Sequence, residues 1–204
     1  MARRKRDEQA AQTKNTIIRV ALNLIQKKGY HNMSIRQLCQ EAGISTGAFY
    51  HHFNSKEEMI NNGFALYDEA LDQLLQHYEF RDPVEDIKFI LLHQTRYVME
   101  ESANLTKELY IAQLSTDVKY SVNSARKYYQ TVEWLAESAL QKSLIHTDMT
   151  VHELASFLIR INRGVILDWC LNDYSYDLMQ QAEKDLLFVL EKLTAPSLIS
   201  LSSV

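Results

Sequence analysis

The scarcity of chain-breaking residues is the feature that most constrains how this chain can fold. Its 204 residues include two prolines and five glycines, too few for the turns of a many-stranded sheet. No stretch alternates apolar and polar residues in the manner of a strand, whereas apolar residues recur at helical spacing along most of the sequence. We therefore predict an all-α fold of about nine helices.

Residues 34–56 predict two short helices joined by a tight turn, with a third helix directly behind them. Ser and Thr are good N-caps, Glu or Gln three residues later completes a capping box, and Gly ends a helix because it tolerates a positive φ. Two short helices across a Gly-containing turn describe a helix-turn-helix, whose second helix can enter a DNA major groove. The predicted caps and stop are Ser34 with Gln37, Gly43, Ser45 or Thr46, and Ser55 with Glu58.

The rest of the chain predicts longer helices with continuous apolar stripes. Cys39 and Cys170 lie on separate apolar faces and are predicted to be buried free thiols. Residues 197–204 are predicted to form a loose tail. The predicted spans are Gln9–Lys28, Ser55 to about Phe80, a helix from Pro83 that breaks within Glu100–Asn104, a shorter helix bearing Leu105, Leu109 and Ala112, Asp117–Ile145, a helix capped by Thr150 and Glu153, and a last helix that ends before Pro196.

Charge is divided unevenly along the chain. The whole chain has a net charge of −4, which alone argues against a nucleic-acid binder. Residues 1–60, however, hold ten Lys/Arg and five Asp/Glu, a net of +5, and residues 61–204 carry the balancing −9. A basic N-terminal unit on an acidic body is the asymmetry expected if only the first sixty residues meet phosphate. The basic run Arg3–Arg6 is interpreted as a solvated terminus and as an arm that follows the DNA backbone or reaches into the minor groove, and both can hold because such arms usually order only on binding.

The N-terminal residues also carry a family resemblance. The succession Gly29-Tyr30, Ser34-Ile35-Arg36, Ala42–Gly47 and Phe49–Glu58 resembles the DNA-binding domain of the TetR (tetracycline-repressor type) family. The resemblance implies a homodimeric transcriptional regulator that binds an operator in double-stranded DNA and a small-molecule effector. It implies a helix-turn-helix domain over residues 1–54 and an effector-binding and dimerisation domain over residues 55–204, with residues 55–80 as the connecting helix.

The resemblance assigns DNA contacts to particular residues. The start of the recognition helix would approach base edges, the following Tyr and His residues would contact phosphate or bases, and a Lys would hold phosphate at the next helix. The recognition helix contains no Arg, Asn or Gln, so Arg36, small-residue contacts and DNA shape are expected to supply more specificity than usual. The predicted DNA-binding residues are Ser34, Arg36, Thr46, Gly47, Ala48, Tyr50, His51, His52 and Lys56.

Effector and dimer contacts are predicted from polar and apolar patterns in the second domain. A polar group on an apolar stripe indicates a pocket, because burying it unpaired costs about 1–3 kcal/mol. By resemblance the pocket lies among the middle helices. The last two long helices are apolar on more than one face, which predicts a four-helix dimer interface. The candidate effector residues are His93, Gln94, Tyr97, Tyr110, Gln113, Tyr129 and Trp134.

Other function classes have weaker support. His51 and His52 point about 100° apart on a helix and cannot chelate one metal unaided, and Phe49 and Phe53 suit a core better than base stacking. No paired carboxylates, metal-ligand spacing or phosphate-binding loop predicts a catalytic, metal or cofactor site. An enzyme or an interaction scaffold remains the alternative to a repressor, and activation remains an alternative to repression. Without a membrane-spanning stretch or signal peptide, a cytoplasmic protein is expected.

Overall fold

The computed structural model describes residues 2–101, 103–117 and 119–195, with side chains from residue 9 onward. The predicted loose tail 197–204 and the side chains of the basic run 3–6 lie outside the described residues. Nine α-helices and one short 3-10 helix occur in this part of the chain, which confirms the all-α prediction. The α-helices are α1 Ala2–Lys28, α2 Ile35–Ala42, α3 Thr46–His52, α4 Lys56–Leu75, α5 Pro83–Glu101, α6 Ala103–Leu114, α7 Lys127–Gln141, α8 Val151–Leu171 and α9 Leu178–Thr194.

Local capping signals determine the boundaries of the two short helices. The Ser34 hydroxyl accepts the N–H of Gln37, and the Ser45 hydroxyl accepts the N–H of Ala48. Gly43 ends α2 in the left-handed region with φ 67°, a conformation that costs a residue with a side chain more than it costs Gly. These three predictions are confirmed, and they determine where α2 ends and α3 begins.

In two of the predicted capping boxes, the side chain three residues after the cap has a partner other than the backbone N–H of the cap residue. Gln37 donates its side-chain N–H to Glu41 at 3.2 Å, one turn further along α2. Glu58 accepts the backbone and side-chain N–H groups of Asn54 at 2.9 and 2.8 Å. The Thr150–Glu153 box at the start of α8 is complete in both directions, as predicted.

The chain forms two compact units, Met1–Tyr67 with Ser102–Asn123, and Asp68–Glu101 with Ser124–Val204. In the first unit, α6 packs against α1 although some 75 residues separate them in sequence. The core of this unit joins the apolar stripe of α1 to the inner faces of the next three helices and of α6. Its most deeply buried large side chains are Ile17, Leu24, Ile25, Leu38, Phe49, Phe53, Met59 and Ile60.

The second unit packs α5, α7, α8 and α9 around an apolar core, in which Ile87, Val132, Leu158 and Leu186 are fully buried. Cys170 is buried here and Cys39 is buried in the first unit, and neither forms a disulfide, as predicted. Among the described residues, none of the helices is both long and apolar enough to cross a membrane.

The predicted end of α4 near Phe80 is wrong, because α4 ends at Leu75. The Tyr78 hydroxyl donates to Asp86 at 2.7 Å, and the backbone N–H of Arg81 donates to the same carboxylate at 3.0 Å. These bonds hold Tyr78 and Arg81 against the start of α5. Pro83 is the first residue of α5, as predicted, and Asp82 caps it through the N–H groups of Val84 and Glu85.

The predicted helix Asp117–Ile145 is also wrong at both ends, because α7 spans only Lys127–Gln141. The described residues before it hold a 3-10 helix, Tyr120–Val122. Arg126, at the N-cap of α7, forms a two-pronged ion pair with Asp68 at 2.9 and 3.1 Å, and Asp68 also accepts the N–H of Tyr128 at 3.2 Å. A carboxylate from α4 therefore accepts a backbone N–H in the first turn of α7 and holds the residue at its N-cap.

The Asp68–Arg126 pair should be far more important to stability than a neighbouring exposed pair. The side chains of Asp68 and Arg126 are 11% and 4% exposed, so Asp68→Ala removes the carboxylate partner of a buried guanidinium and should lower the free energy of unfolding by about 3–5 kcal/mol. Asp72→Ala breaks the half-exposed pair with Lys127 and should change it by less than about 0.5 kcal/mol. Urea denaturation at one fixed protein concentration measures both. Similar losses in the two variants would contradict the assignment.

Candidate nucleic-acid interface

One face of α3 is open to solvent. Thr46, Gly47, Tyr50 and His51 are exposed, and the Tyr50 side chain keeps 52% of its area accessible. Their spacing of one, three and one residues places them on a single face of the helix. Ala48, also predicted to contact DNA, is half-buried at the edge of this face. The result is a short helix with a small-residue start and an aromatic, imidazole-bearing end.

The opposite face of α3 anchors it in the first unit. Phe49 is fully buried and Phe53, just past the helix, is 1% exposed, and their rings lie 5.6 Å apart. Both are core residues, as the sequence favoured. A seven-residue helix has little stability of its own, so this burial holds α3 in place and leaves its outer face available to a partner.

Arg36 and Ser34 extend the exposed surface onto α2. Arg36 is exposed in the first turn of α2, and Ser34 is exposed at its N-cap. Because the Ser34 hydroxyl accepts a helix N–H as the cap, it retains its own hydrogen for donation to a phosphate. Arg36 provides the long, forked donor that α3 lacks.

His51 and His52 have different surroundings. Their ring centroids lie 5.3 Å apart and nearly perpendicular, and His51 is exposed whereas His52 is half-buried. Partial burial lowers the pKa of His52, and the nearby His51 and Lys14 lower it further. His52 is therefore mostly neutral at neutral pH. No group of three or more His, Cys, Asp or Glu residues is arranged to hold a metal ion in the parts of the chain described.

Lys56 lies at the start of α4 with its ammonium directed at Tyr30. Its Nζ donates to the Tyr30 carbonyl and lies 4.1 Å from the centre of the Tyr30 ring. Partial burial lowers the pKa of Lys56, while the carboxylate of Glu57 acts in the opposite direction. To hold a phosphate, Lys56 would have to exchange or share its bond to Tyr30.

Two of the sequence-derived effector candidates lie in the first unit. Gln113 is 3% exposed, donates to Asn61, and accepts the N–H of Ser121 at 2.9 Å. Tyr110 packs edge-on against Phe64, with ring centroids 6.2 Å apart. The Gln113 amide thus bridges α4, α6 and the 3-10 helix.

The other five candidates are dispersed through the second unit. The Gln94 oxygen accepts from Tyr128 at 3.2 Å and from Asn162 at 2.8 Å. Arg163 donates to the Tyr129 hydroxyl. Trp134 is 51% exposed and meets the ring of Phe80. The remaining two, His93 and Tyr97, are half-buried on α5.

Asn162 and Thr95 belong to the same buried network as Gln94 but were not among the sequence candidates. Both are 0% exposed. Thr95 donates to the Asn162 oxygen at 3.0 Å, and the Asn162 amide also donates to the Leu91 carbonyl at 3.1 Å. The available signal was an Asn within the otherwise apolar stripe of α8.

Comparison with known proteins agrees with this arrangement. The family model described as "Bacterial regulatory proteins, tetR family" matches residues 17–62. The chain is 23% identical over 198 residues to the HTH-type transcriptional regulator AcrR of Shigella flexneri, covering 92% of each chain. Its fold is similar to FadR of Bacillus subtilis in complex with stearoyl-CoA (TM-score 0.64, 16% identity, 87% of this chain and 98% of that one). It is also similar to NalD of Pseudomonas aeruginosa, the secondary repressor of the MexAB-OprM multidrug efflux pump (TM-score 0.63, 21% identity, 91% and 98%).

Affinity for DNA should depend on pH through His52. A phosphate beside the ring favours the imidazolium, so the pKa of His52 should be higher in the complex than in the free protein, where it is lowered. Affinity then rises by up to about tenfold per pH unit as the pH falls through the bound-state pKa of His52. It levels off below the free-state pKa. Fluorescence anisotropy of labelled duplex DNA at constant salt between pH 8 and pH 6 measures this dependence.

His52→Gln should flatten that profile, whereas the control His77→Gln, which changes an exposed His on the second unit, should leave it unchanged. If the dependence of DNA affinity on pH is unchanged in His52→Gln, His52 does not contact the DNA.

Proposed function

Because the chain is a TetR-family transcriptional regulator, we propose that it acts as a homodimeric repressor that a small-molecule effector releases from a pseudo-palindromic DNA operator. The observation that carries this proposal is the exposed face of α3, presented by a capped and buried helix-turn-helix. This face belongs to the basic part of an otherwise acidic chain, where residues 1–60 carry a net +5. Phosphate attraction therefore acts on this part of the protein.

The proposed operator contacts are those of the two exposed helix faces and the start of α4. Thr46, Gly47 and Ala48 approach base edges and thymine methyl groups, and Tyr50, His51 and His52 contact the groove edge and backbone. Ser34 and Lys56 hold phosphates, and Arg36 contributes most of the hydrogen-bonding specificity. In a dimer, the two copies of α3 would enter successive major grooves about 34–36 Å apart.

We propose residues 1–54 as the DNA-binding domain and residues 55–204 as the effector and dimerisation domain. The α4 helix is continuous from Lys56 to Leu75, so it can transmit a displacement in the second domain to the helix-turn-helix. Effector binding would favour an arrangement of the two copies of α3 that no longer matches the operator spacing.

The buried polar network around Asn162 supports an effector site among α5, α7 and α8. Four side chains, Gln94, Thr95, Tyr128 and Asn162, satisfy one another in an otherwise apolar core. A polar group brought into such a core must replace the bonds it breaks, so this network selects a ligand with matching donors and acceptors. FadR, similar in fold, holds stearoyl-CoA, and we propose that the present chain takes a small-molecule effector of its own.

The proposed dimer interface lies on α8 and α9. Of the apolar residues outside their main stripes, Ile159, Ile166 and Leu190 are already buried in the protomer. Other apolar residues of the two helices are partly or fully exposed and are proposed to meet a second copy, with Leu171 of α8 at 82% and Phe188 and Leu187 of α9 at 64% and 38%. They also include Phe157, Ile161, Leu167, Met179, Val189 and Leu193.

A non-catalytic role in the cytoplasm completes the proposal. AcrR and NalD are a transcriptional regulator and a repressor, which supports a regulator over an enzyme or a scaffold. A repressor must also share a compartment with its operator.

Arg36 should distinguish operator from random DNA. Fragments selected from genomic DNA by the purified protein supply the operator, and anisotropy titrations at several salt concentrations supply the affinities. Arg36→Ala should weaken operator binding by about tenfold while changing binding to random duplex by a smaller factor. Lys56→Met should weaken both to a similar extent and reduce the slope of log affinity against log salt by about one. Equal losses of affinity for operator and random DNA in Arg36→Ala would show that Arg36 does not contribute to sequence specificity.

Charges placed on the α9 face should separate the dimer. Leu187→Glu combined with Phe188→Glu would bury two carboxylates at the proposed interface, which is unfavourable without partners. Light scattering should then report the mass of one 23.7 kDa chain. Val122→Glu changes a side chain of similar exposure, 50%, in the first unit and should remain a dimer. A dimer that survives the double change would place the interface elsewhere.

A further inference from the structure

A small groove with aromatic walls lies on the second unit, apart from the buried Asn162 network. One side is a single face of α7, formed by Lys127, Gln130, Thr131 and Trp134 at spacings of three, one and three residues. The other side is formed by the end of α4 and the connection that follows it, Leu75 and Phe80. These six residues enclose about 260 Å³ and are called the Trp134 groove below.

The two aromatic walls of the Trp134 groove are exposed but held in place. The rings of Trp134 and Phe80 lie 4.8 Å apart at 80°, although they retain 51% and 38% of their accessible area. Phe80 is supported from behind by Tyr78 at 5.0 Å, whose hydroxyl is bonded to Asp86. Tyr78 is itself stacked on Phe89 at 4.6 Å. A fixed edge-to-face pair with one open side can accept a third ring at little entropic cost.

The rim of the groove supplies one cation and one amide. The Lys127 ammonium is paired with Asp72 at 2.9 Å, and their side chains are 42% and 55% exposed. A pair this exposed contributes little to stability, so a ligand can displace the Asp72 carboxylate cheaply. Gln130, exposed between Lys127 and Trp134 on the same face, offers further donor N–H groups. The buried Thr131 hydroxyl already donates to the Lys127 carbonyl and forms part of the floor.

We propose that the Trp134 groove binds small aromatic carboxylates. The ligand ring packs against Trp134 and Phe80, and its carboxylate replaces that of Asp72 on the Lys127 ammonium with the Gln130 amide beside it. The volume limits the ligand to one or two fused rings. The ammonium at the rim repels an aromatic cation, and a neutral ring gains no ion pair. This proposal does not depend on DNA binding, since every residue it uses belongs to the second unit.

Calorimetric titration of the full-length protein with three ring-matched probes tests the ligand class: naphthoate, naphthylmethanol and naphthylmethylammonium. Naphthoate should bind about tenfold more tightly than the alcohol, and the ammonium compound should bind most weakly. Absence of naphthoate binding, or a preference for the ammonium probe, would overturn the proposal.

Two substitutions in one ion pair should have opposite effects on naphthoate binding. Lys127→Met removes the cation and should weaken binding about tenfold, whereas Asp72→Asn removes the competing carboxylate and should tighten it about threefold. A merely structural role for the Asp72–Lys127 pair would give effects of the same sign in both variants. Phe80→Ala, which removes one wall, should weaken all three probes about equally.

The two tryptophans allow the site to be located without a variant that alters the groove. Proton–nitrogen correlation spectra of labelled protein should show one indole N–H signal for each, and Trp169→Phe assigns them. Trp169 is buried, with 7% of the residue exposed, and its indole N–H donates to the Tyr176 carbonyl at 3.0 Å. Its signal should therefore stay in place. The Trp134 signal should shift progressively with naphthoate. Movement of the Trp169 signal alone would place the ligand outside the Trp134 groove.

Discussion

The geometry of the helix-turn-helix depends on how Tyr30 is held between α1, α4 and α6. Its backbone N–H donates to Glu108 of α6 at 2.7 Å, its carbonyl accepts from Lys56, and its hydroxyl donates to Glu57 at 3.0 Å. Burial and Glu57 raise the pKa of Tyr30 to about 12, so the hydroxyl remains a donor throughout the physiological range. One residue thus links three helices of the first unit through both its backbone and its side chain.

Gly29 is what lets Glu108 reach this position. It ends α1 with φ 80°, a left-handed conformation that favours Gly, and a Cβ there would lie 3.2 and 3.5 Å from the two Glu108 oxygens. Any larger residue would therefore strain the backbone and push away the acceptor of the Tyr30 N–H. The same constraint bears on Lys56, because the carbonyl and ring of Tyr30 hold its ammonium at the start of α4. The proposed phosphate contact would therefore compete with, or be shared with, this internal bond.

Capping signals were predictable because their partners lie three or four residues apart, as with Ser34, Ser45 and Thr150. Helix ends decided by distant partners were not. The spacing of Tyr78 continues the apolar stripe of α4, but its bond to Asp86 ends the helix at Leu75. The start of α7 depends on Asp68, nearly sixty residues away in sequence. Periodicity reports which face of a helix is apolar and carries no information about such pairings.

The effector candidates illustrate a different limit, which comes from the ambiguity of a polar residue on an apolar stripe. Such a residue indicates a buried hydrogen bond, but a protein group and a ligand satisfy it equally well. Gln113 is satisfied by Asn61 and Ser121, and Gln94 by partners on α7 and α8. An exposed aromatic residue such as Trp134 is a clearer indication of a ligand site. Burial of its ring would be stabilising, yet its neighbours leave about half of it exposed. That signal exists only once the surrounding chain has been placed. Three-dimensional structure, and not sequence pattern, therefore separates a polar residue satisfied inside the protein from a residue that is open to a ligand.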